Sequence, residues 1–296
     1  MTSKIELENV TYIYGKDTPF EVRALDSVNL SIYAGMITGI IGHTGSGKST
    51  LVRLFNGLEK PESGRVLLDG TDIWEKPREI GKVRFRVGLV MQYPEYQLFE
   101  ETVAADIAFG PRNMGLDGDE LKSTVERAAA FSGLSPELLD KSPFELSGGQ
   151  KRRAALAGVI AMNPKILILD EPAAGLDPAG RRDILGGIKK YSRESGTTVI
   201  IVSHSMEDMA LYCDSIIVMS DSKILMHKPC AQVFSEYREL VAIGLDVPQI
   251  TRVASALAEN GIDIGRDVYT VNWAAEKLGE YIASGKTPPE SEEKYV

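Results

Sequence analysis

The sequence predicts an α/β fold, and three observations carry the prediction. Three apolar runs of strand length recur along the chain: residues 36–41, Ile166-Leu167-Ile168-Leu169 and Thr198-Val199-Ile200-Ile201-Val202. Runs that are apolar at nearly every position read as strands buried on both faces, the habit of a sheet covered by helices. Helical patterns follow the first run, in Leu51-Val52-Arg53-Leu54-Phe55, and precede the second, in the small residues 154–162. The three strands finish in Gly42, Asp170 and Ser203-His204. Ligands of open parallel sheets bind at the carboxyl ends of strands, so these ends mark the expected site.

The elements follow in order. Val28, Leu30 and Ile32 alternate within residues 4–32 as strands do, and Val66-Leu67-Leu68-Asp69-Gly70 reads as a strand closing in a turn. Between strand and helix lies Gly42-His43-Thr44-Gly45-Ser46-Gly47-Lys48-Ser49-Thr50. Its glycines let the backbone wrap closely and turn N–H groups toward phosphate oxygens, helped by the positive end of the following helix. Lys48 is placed to reach terminal phosphates and the Ser49 hydroxyl to ligate Mg²⁺. From Glu101 to Glu145 the chain is helical in character, with Leu121, Val125 and Ala128 at helical spacing and Pro111, Gly115, Gly133 and Pro143 as punctuation.

Leu146-Ser147-Gly148-Gly149-Gln150 forms a second anion-binding pattern. Ser147 is a natural N-cap, which puts both glycines and Gln150 in the first turn, where free N–H groups meet the dipole's positive end. An ordinary cap explains Ser147 but not two glycines, each of which weakens a helix by up to ~1 kcal/mol. Something must approach that backbone closely. After the next strand, Asp170 suits Mg²⁺, while Glu171 points elsewhere and suits a base that orients attacking water.

These residues resemble an ATP-binding-cassette ATPase across roughly residues 4–230, with every landmark in the family's order. The resemblance implies a P-loop NTPase cassette with a mixed sheet core, a helical subdomain at about 95–162 and a cassette spanning 1–240. It implies ATP and Mg²⁺ as cofactors. Tyr14 resembles the aromatic that stacks on adenine, residues 42–50 the Walker A loop, Gln92 the Q-loop glutamine near the metal, and residues 146–150 the signature. Asp170 and Glu171 match Walker B and the catalytic glutamate, Ala174-Gly175-Leu176-Asp177 the D-loop and His204 the switch histidine. Ala173 departs from the usual Thr or Ser, beside an intact Glu171 and Asp177. In this arrangement Ser147, Gly148, Gly149, Gln150 and Asp177 serve the nucleotide of a second cassette, a homo- or heterodimer partner.

The wording from Gln92 to Val103, with His43-Thr44, Glu100-Glu101 and Lys141-Ser142-Pro143-Phe144-Glu145, is similar to the second ATPase subunit of energy-coupling-factor importers. That resemblance implies uptake of vitamins or metal ions through a transmembrane coupling subunit and a substrate-binding membrane protein. It also implies arginines on the coupling subunit, for which Glu95, Glu100 and Glu101 are candidate partners. An ATPase of another transporter, or a cassette acting on DNA or ribosomes, are the competing readings. The second lacks its usual coiled-coil insertion or tandem cassette here.

Composition narrows the classes. Lys and Arg number 33 against 42 acids, a net charge of −9 that disfavours general nucleic-acid binding. Cys213 and Cys230 have no paired spacing and read as free thiols of a reducing compartment. No segment has the eighteen or more apolar residues needed to span a bilayer. The expectation is a peripheral protein held at the cytoplasmic membrane face by other chains. Residues 241–285 form a small helical appendage with stripes of Ile250, Val253 and Leu257, closed by Gly261, and of Trp273, Leu278 and Ile282 with Tyr281 beside it. Pro248 is expected in the first turn, and the appendage either packs on its own cassette or contacts a partner. The polar residues 286–296 read as disordered.

Overall fold

A computed structural model describes residues 3–265 and 267–284. The expected disorder of 286–296 lies outside the described residues. The chain opens with an antiparallel hairpin of β1 (Ser3–Tyr14) and β2 (Val22–Tyr33), then β3 (Ile37–Gly42) and α1 (Lys48–Phe55). Next come β4 (Ser63–Leu68), β5 (Thr71–Asp72), α2 (Ile80–Arg86) and β6 (Val87–Val90). The helices α3 (Val103–Asn113), α4 (Gly118–Ser132) and α5 (Gly148–Ile160) precede β7 (Ile166–Asp170), α6 (Pro178–Ser195) and β8 (Thr198–Val202). The chain continues through α7 (Met206–Tyr212), β9 (Ser215–Ser220) and β10 (Lys223–Pro229). It ends in α8 (Cys230–Ser235), α9 (Tyr237–Ala242), α10 (Gln249–Glu259) and α11 (Val271–Ala283).

Among the described residues two sheets form, in the orders β2-β1-β4-β5 and β10-β9-β3-β8-β7-β6. The second is parallel except for β10, so the core sheet is mixed, as expected. Strands β6, β9 and β10 complete it beyond those singled out in the sequence. Apolarity at successive positions has a simple cause. On β7, Leu167 and Leu169 face the helical layer with α3–α7, while Ile166 and Ile168 face the hairpin and α1. Val199 and Ile201 divide from Ile200 and Val202 in the same way on β8. Side chains alternate faces along a strand, so burial on both sides requires an unbroken apolar run.

Pro111 corrects its reading as punctuation. It lies inside α3, two residues before the end, and its carbonyl accepts from the N–H groups of Met114 and Leu116 at 3.0 and 3.1 Å. A proline near a helix end removes little that the closing turn does not supply from another group. In the appendage, Pro248 caps α10 from outside rather than sitting in its first turn. On α10 the expected Ile250 and Leu257 pack against the appendage core beside the buried Thr251 and Ala254, whereas Val253 is exposed. On α11, Ala274 is buried with Leu278 and Tyr281 packed near it, whereas Ile282 points outward. Small residues face inward because these short helices meet closely. Gly261 follows α10 at φ 82°, where it stops the helix as expected. Tyr269 packs its ring 5.8 Å from Phe234 of the cassette, and Gln249 N donates to Glu207 at 3.3 Å.

Candidate functional site

The loop after β3 is shaped by what surrounds it. A Cβ on Gly42 would sit 2.5 Å from the Met219 carbonyl oxygen, and one on Gly47 2.4 Å from that of Ala24. Gly47 also has φ 101°, a region that L side chains rarely adopt. Lys48 opens α1 with its side chain folded under the loop, where Nζ donates to the carbonyls of Gly42 and His43 at 2.6 and 2.9 Å. Burial lowers its pKa, while the charges of Glu171 and Asp170 act to raise it. A lysine held this way is preorganised beside an anion site and costs little further ordering when an anion arrives.

A cavity of about 420 Å³ opens at the carboxyl ends of the core strands. Thr44, Gly45, Gly47, Lys48, Ser49 and Thr50 line one side, and Gln92, Asp170, Glu171 and His204 the other. Tyr14 closes the edge, its hydroxyl 3.1 Å from Thr50 Oγ1. The expected residues of one chain thus meet from five separate segments. Three do not line the cavity. Gly42 meets Lys48 Nζ through its carbonyl, His43 turns its ring to Thr44 O and Ser220 Oγ at 2.9 and 3.3 Å, and Ser46 has a buried hydroxyl without a partner. Val22 and Ala24 of β2 also line it, and sequence reasoning missed both. Val22 stands opposite Tyr14 in the β1–β2 register and is an exposed valine, so the two make an apolar edge fit for a flat ring.

The acids of the cavity are held under tension. Glu171 sits at φ 52° with its N–H bonded to Val202 O at 3.0 Å. Its Oε1 is buried without a hydrogen bond and lies 3.6 Å from His204 Nε2. Burial, then the neighbouring Asp170 charge, pushes its pKa up to about 7. Burial likewise raises Asp170, opposed by Lys48, and lowers His204. A carboxylate near 7 is matched to proton transfer at neutral pH. The Ser49 hydroxyl, Asp170 carboxylate and Gln92 side-chain carbonyl line the cavity and are hard oxygen donors of the kind that would hold Mg²⁺.

The signature stands apart from this cavity. Ser147 caps α5 through a reciprocal box: Gln150 N donates to its Oγ at 3.3 Å, and Ser147 N donates to Gln150 Oε1 at 2.9 Å. Gln150 is therefore engaged locally, a correction to its expected free N–H, and the open donors are those of Gly148 and Gly149. Asp177 caps α6, accepting from Gly180 N at 2.7 Å. Glu95 is taken up within the chain by Arg152 of α5 at 3.2 Å, which removes it as a free partner for an outside arginine. Cys213 and Cys230 are buried free thiols, both raised in pKa by burial.

The family described as "ABC transporter" matches residues 25–174. Among curated relatives, the "Energy-coupling factor transporter ATP-binding protein EcfA2" of Clostridium acetobutylicum is 52% identical, covering 95% of this chain and 99% of its own. The protein of that name from Caldanaerobacter subterraneus is also 52% identical, over 95% and 99%. Among solved structures, cbiO1 from Clostridium perfringens, part of the ABC transporter complex cbiONQ, superposes at TM-score 0.72 with 40% identity. That match covers 81% of this chain and 95% of that one. The MJ0796 cassette, solved as a dimer bound to ADP and Pi, superposes at TM-score 0.70 with 29% identity over 76% and 98%.

Proposed function

Because the chain belongs to the ABC transporter family, among the ATP-binding proteins of energy-coupling factor transporters, we propose how its own residues divide the work of an ATP site. It is an ATP-hydrolysing transporter subunit that works as a dimer with membrane partners. Residues 44–50 bind the phosphates, Lys48 neutralises their terminal charge, and Tyr14 with Val22 holds the adenine. Ser49, Asp170 and Gln92 hold Mg²⁺, which supplies charge neutralisation on the phosphates when bound. Glu171 orients the attacking water and takes its proton, and His204 steadies the terminal phosphate beside it. Gly148 and Gly149 offer their N–H groups, with Ser147 and Asp177, to the nucleotide of the facing cassette.

The single observation that carries this reading is the meeting of Lys48, Gln92, Asp170, Glu171 and His204 on one cavity while residues 147–150 lie outside it. A cassette so divided completes its site only against a second one. Among the described residues no helix is long and apolar enough to cross a membrane. The transporter names of the relatives support a peripheral subunit held at the cytoplasmic face by other chains. Its partners are then a second cassette ATPase, a transmembrane coupling subunit and a membrane protein that binds a vitamin or metal ion. The exposed rings of Tyr93, Tyr96 and Phe99 supply a face for the coupling subunit. Reconstituting the chain with its membrane partners in proteoliposomes tests the reading. ATP-driven uptake should appear with the wild type and vanish with Glu171→Gln. Uptake that persists in that variant overturns it.

A further inference from the structure

Arg152 touches three motif-bearing segments at once. It lies in the second turn of α5, and its side chain is only 7% exposed. Nη2 donates to both Glu95 oxygens at 3.2 and 3.4 Å, and Nε to Oε2 at 3.4 Å. Nη1 donates to the Ala174 carbonyl. Glu95 belongs to the short turn Pro94–Gln97, three residues past Gln92, which lines the cavity. Ala174 N in turn donates to Glu171 O at 3.2 Å, and Asp177 follows three residues on. One guanidinium therefore joins the segment of Gln92, the signature helix and the segment of Glu171.

Structural cement explains this poorly. A buried ion pair must repay its desolvation, and apolar packing of equal volume often serves stability as well or better. A forked guanidinium excels instead at fixing geometry between two partners, because its donors are rigid and planar. The neighbouring Arg153 shows the contrast. It bonds the Ser132 carbonyl at 3.0 Å and reaches Asp183 at 3.5 Å, without touching the segments of Gln92 or Glu171. The Glu95 turn also carries Tyr93 and Tyr96 outward, 49% and 85% exposed, on the face assigned above to the membrane partner.

We propose that Arg152 is a positioning residue that gears the signature helix to the Gln92 segment through Glu95 and to the Glu171 segment through Ala174. Motion at the membrane-facing turn then moves Gly148 and Gly149 as one body with it. This rests on the transporter reading above. The test uses the assembled transporter in proteoliposomes, with Arg152→Met, Glu95→Gln, their combination and Arg152→Lys. Hydrolysis and uptake are measured together, with ATP affinity of the isolated chain as a control.

The gear predicts ATP affinity within about threefold of wild type, because neither residue lines the cavity. Uptake should fall at least tenfold and hydrolysis less, so that solute moved per ATP drops at least threefold. The double variant should be no worse than the worse single one, since both break one pair. Arg152→Lys should recover part of the lost ratio by keeping a single bond to Glu95. Glu95→Gln is nearly isosteric and carries the test if Arg152→Met does not assemble. Uptake and hydrolysis falling in equal proportion, or additive losses, overturn the gear. A wild type without ATP-driven uptake instead overturns the transporter reading, so the two failures are distinct.

Discussion

The P-loop and the signature turn are both glycine-rich helix starts, yet their glycines answer to different neighbours. Gly42 and Gly47 are dictated from within, since a Cβ on either would strike a backbone carbonyl of the same chain. A Cβ on Gly148 or Gly149 would meet nothing within 4 Å, and neither residue has positive φ. Neither sterics nor backbone conformation of the chain asks for glycine there, although glycine weakens the turn. The first pair of glycines is thus required by this fold, and the second is not, which is what the shared site proposed above expects of a turn that serves a partner's nucleotide.

The largest expected effect falls on the internal half. Glu171→Gln keeps the side chain's size and removes its base, so turnover in the assembled transporter should drop on the order of 10²–10⁴-fold while ATP still binds. Near wild-type turnover in an ATPase assay would remove Glu171 from the chemistry. The comparison itself breaks on the glycines. Gly47→Ala should cost about 2–4 kcal/mol in chemical denaturation, from the carbonyl clash and the positive φ together. Gly149→Ala should leave stability unchanged or raise it by up to ~1 kcal/mol, yet abolish hydrolysis by the dimer. If Gly149→Ala hydrolyses normally, the bare turn has no partner to serve.

A smaller effect follows from the tension at Glu171. Its folded pKa stands above the ordinary 4.5 at about 7, so the folded chain holds a proton that the unfolded chain releases. The stability this contributes is full below 4.5 and is lost as pH rises through 7. Without nucleotide or metal, Glu171→Gln should therefore melt with wild type near pH 4.5 and exceed it by about 1–2 kcal/mol at pH 8, solvent screening discounted. A gap that does not grow with pH would place the carboxylate in a solvated setting.

What the sequence disclosed follows the same division. Residues 42–50, 146–150 and 170–171 are legible because phosphate and metal chemistry demands particular residue types at adjacent positions. The pairing of Glu95 with Arg152 spans 57 positions, and nothing local marks it. Strand β6 is only four residues with a glycine among them, too short for its period to announce itself. In the appendage the larger Val253 draws the eye, but Ala254 and Thr251 face inward because the neighbouring segment comes close, Thr251 Oγ1 donating to Val268 O at 3.0 Å.

ATP binding to the isolated Ser147→Arg chain, read beside its closure with a partner cassette, tests the divided site most directly. The variant should bind ATP within about threefold of wild type, because residue 147 lies outside the cavity of its own P-loop. It should fail to form the ATP-bound dimer on a sizing column, whereas Lys48→Ala should lose ATP binding itself. Loss of ATP binding by the isolated Ser147→Arg chain would contradict a site shared between two chains.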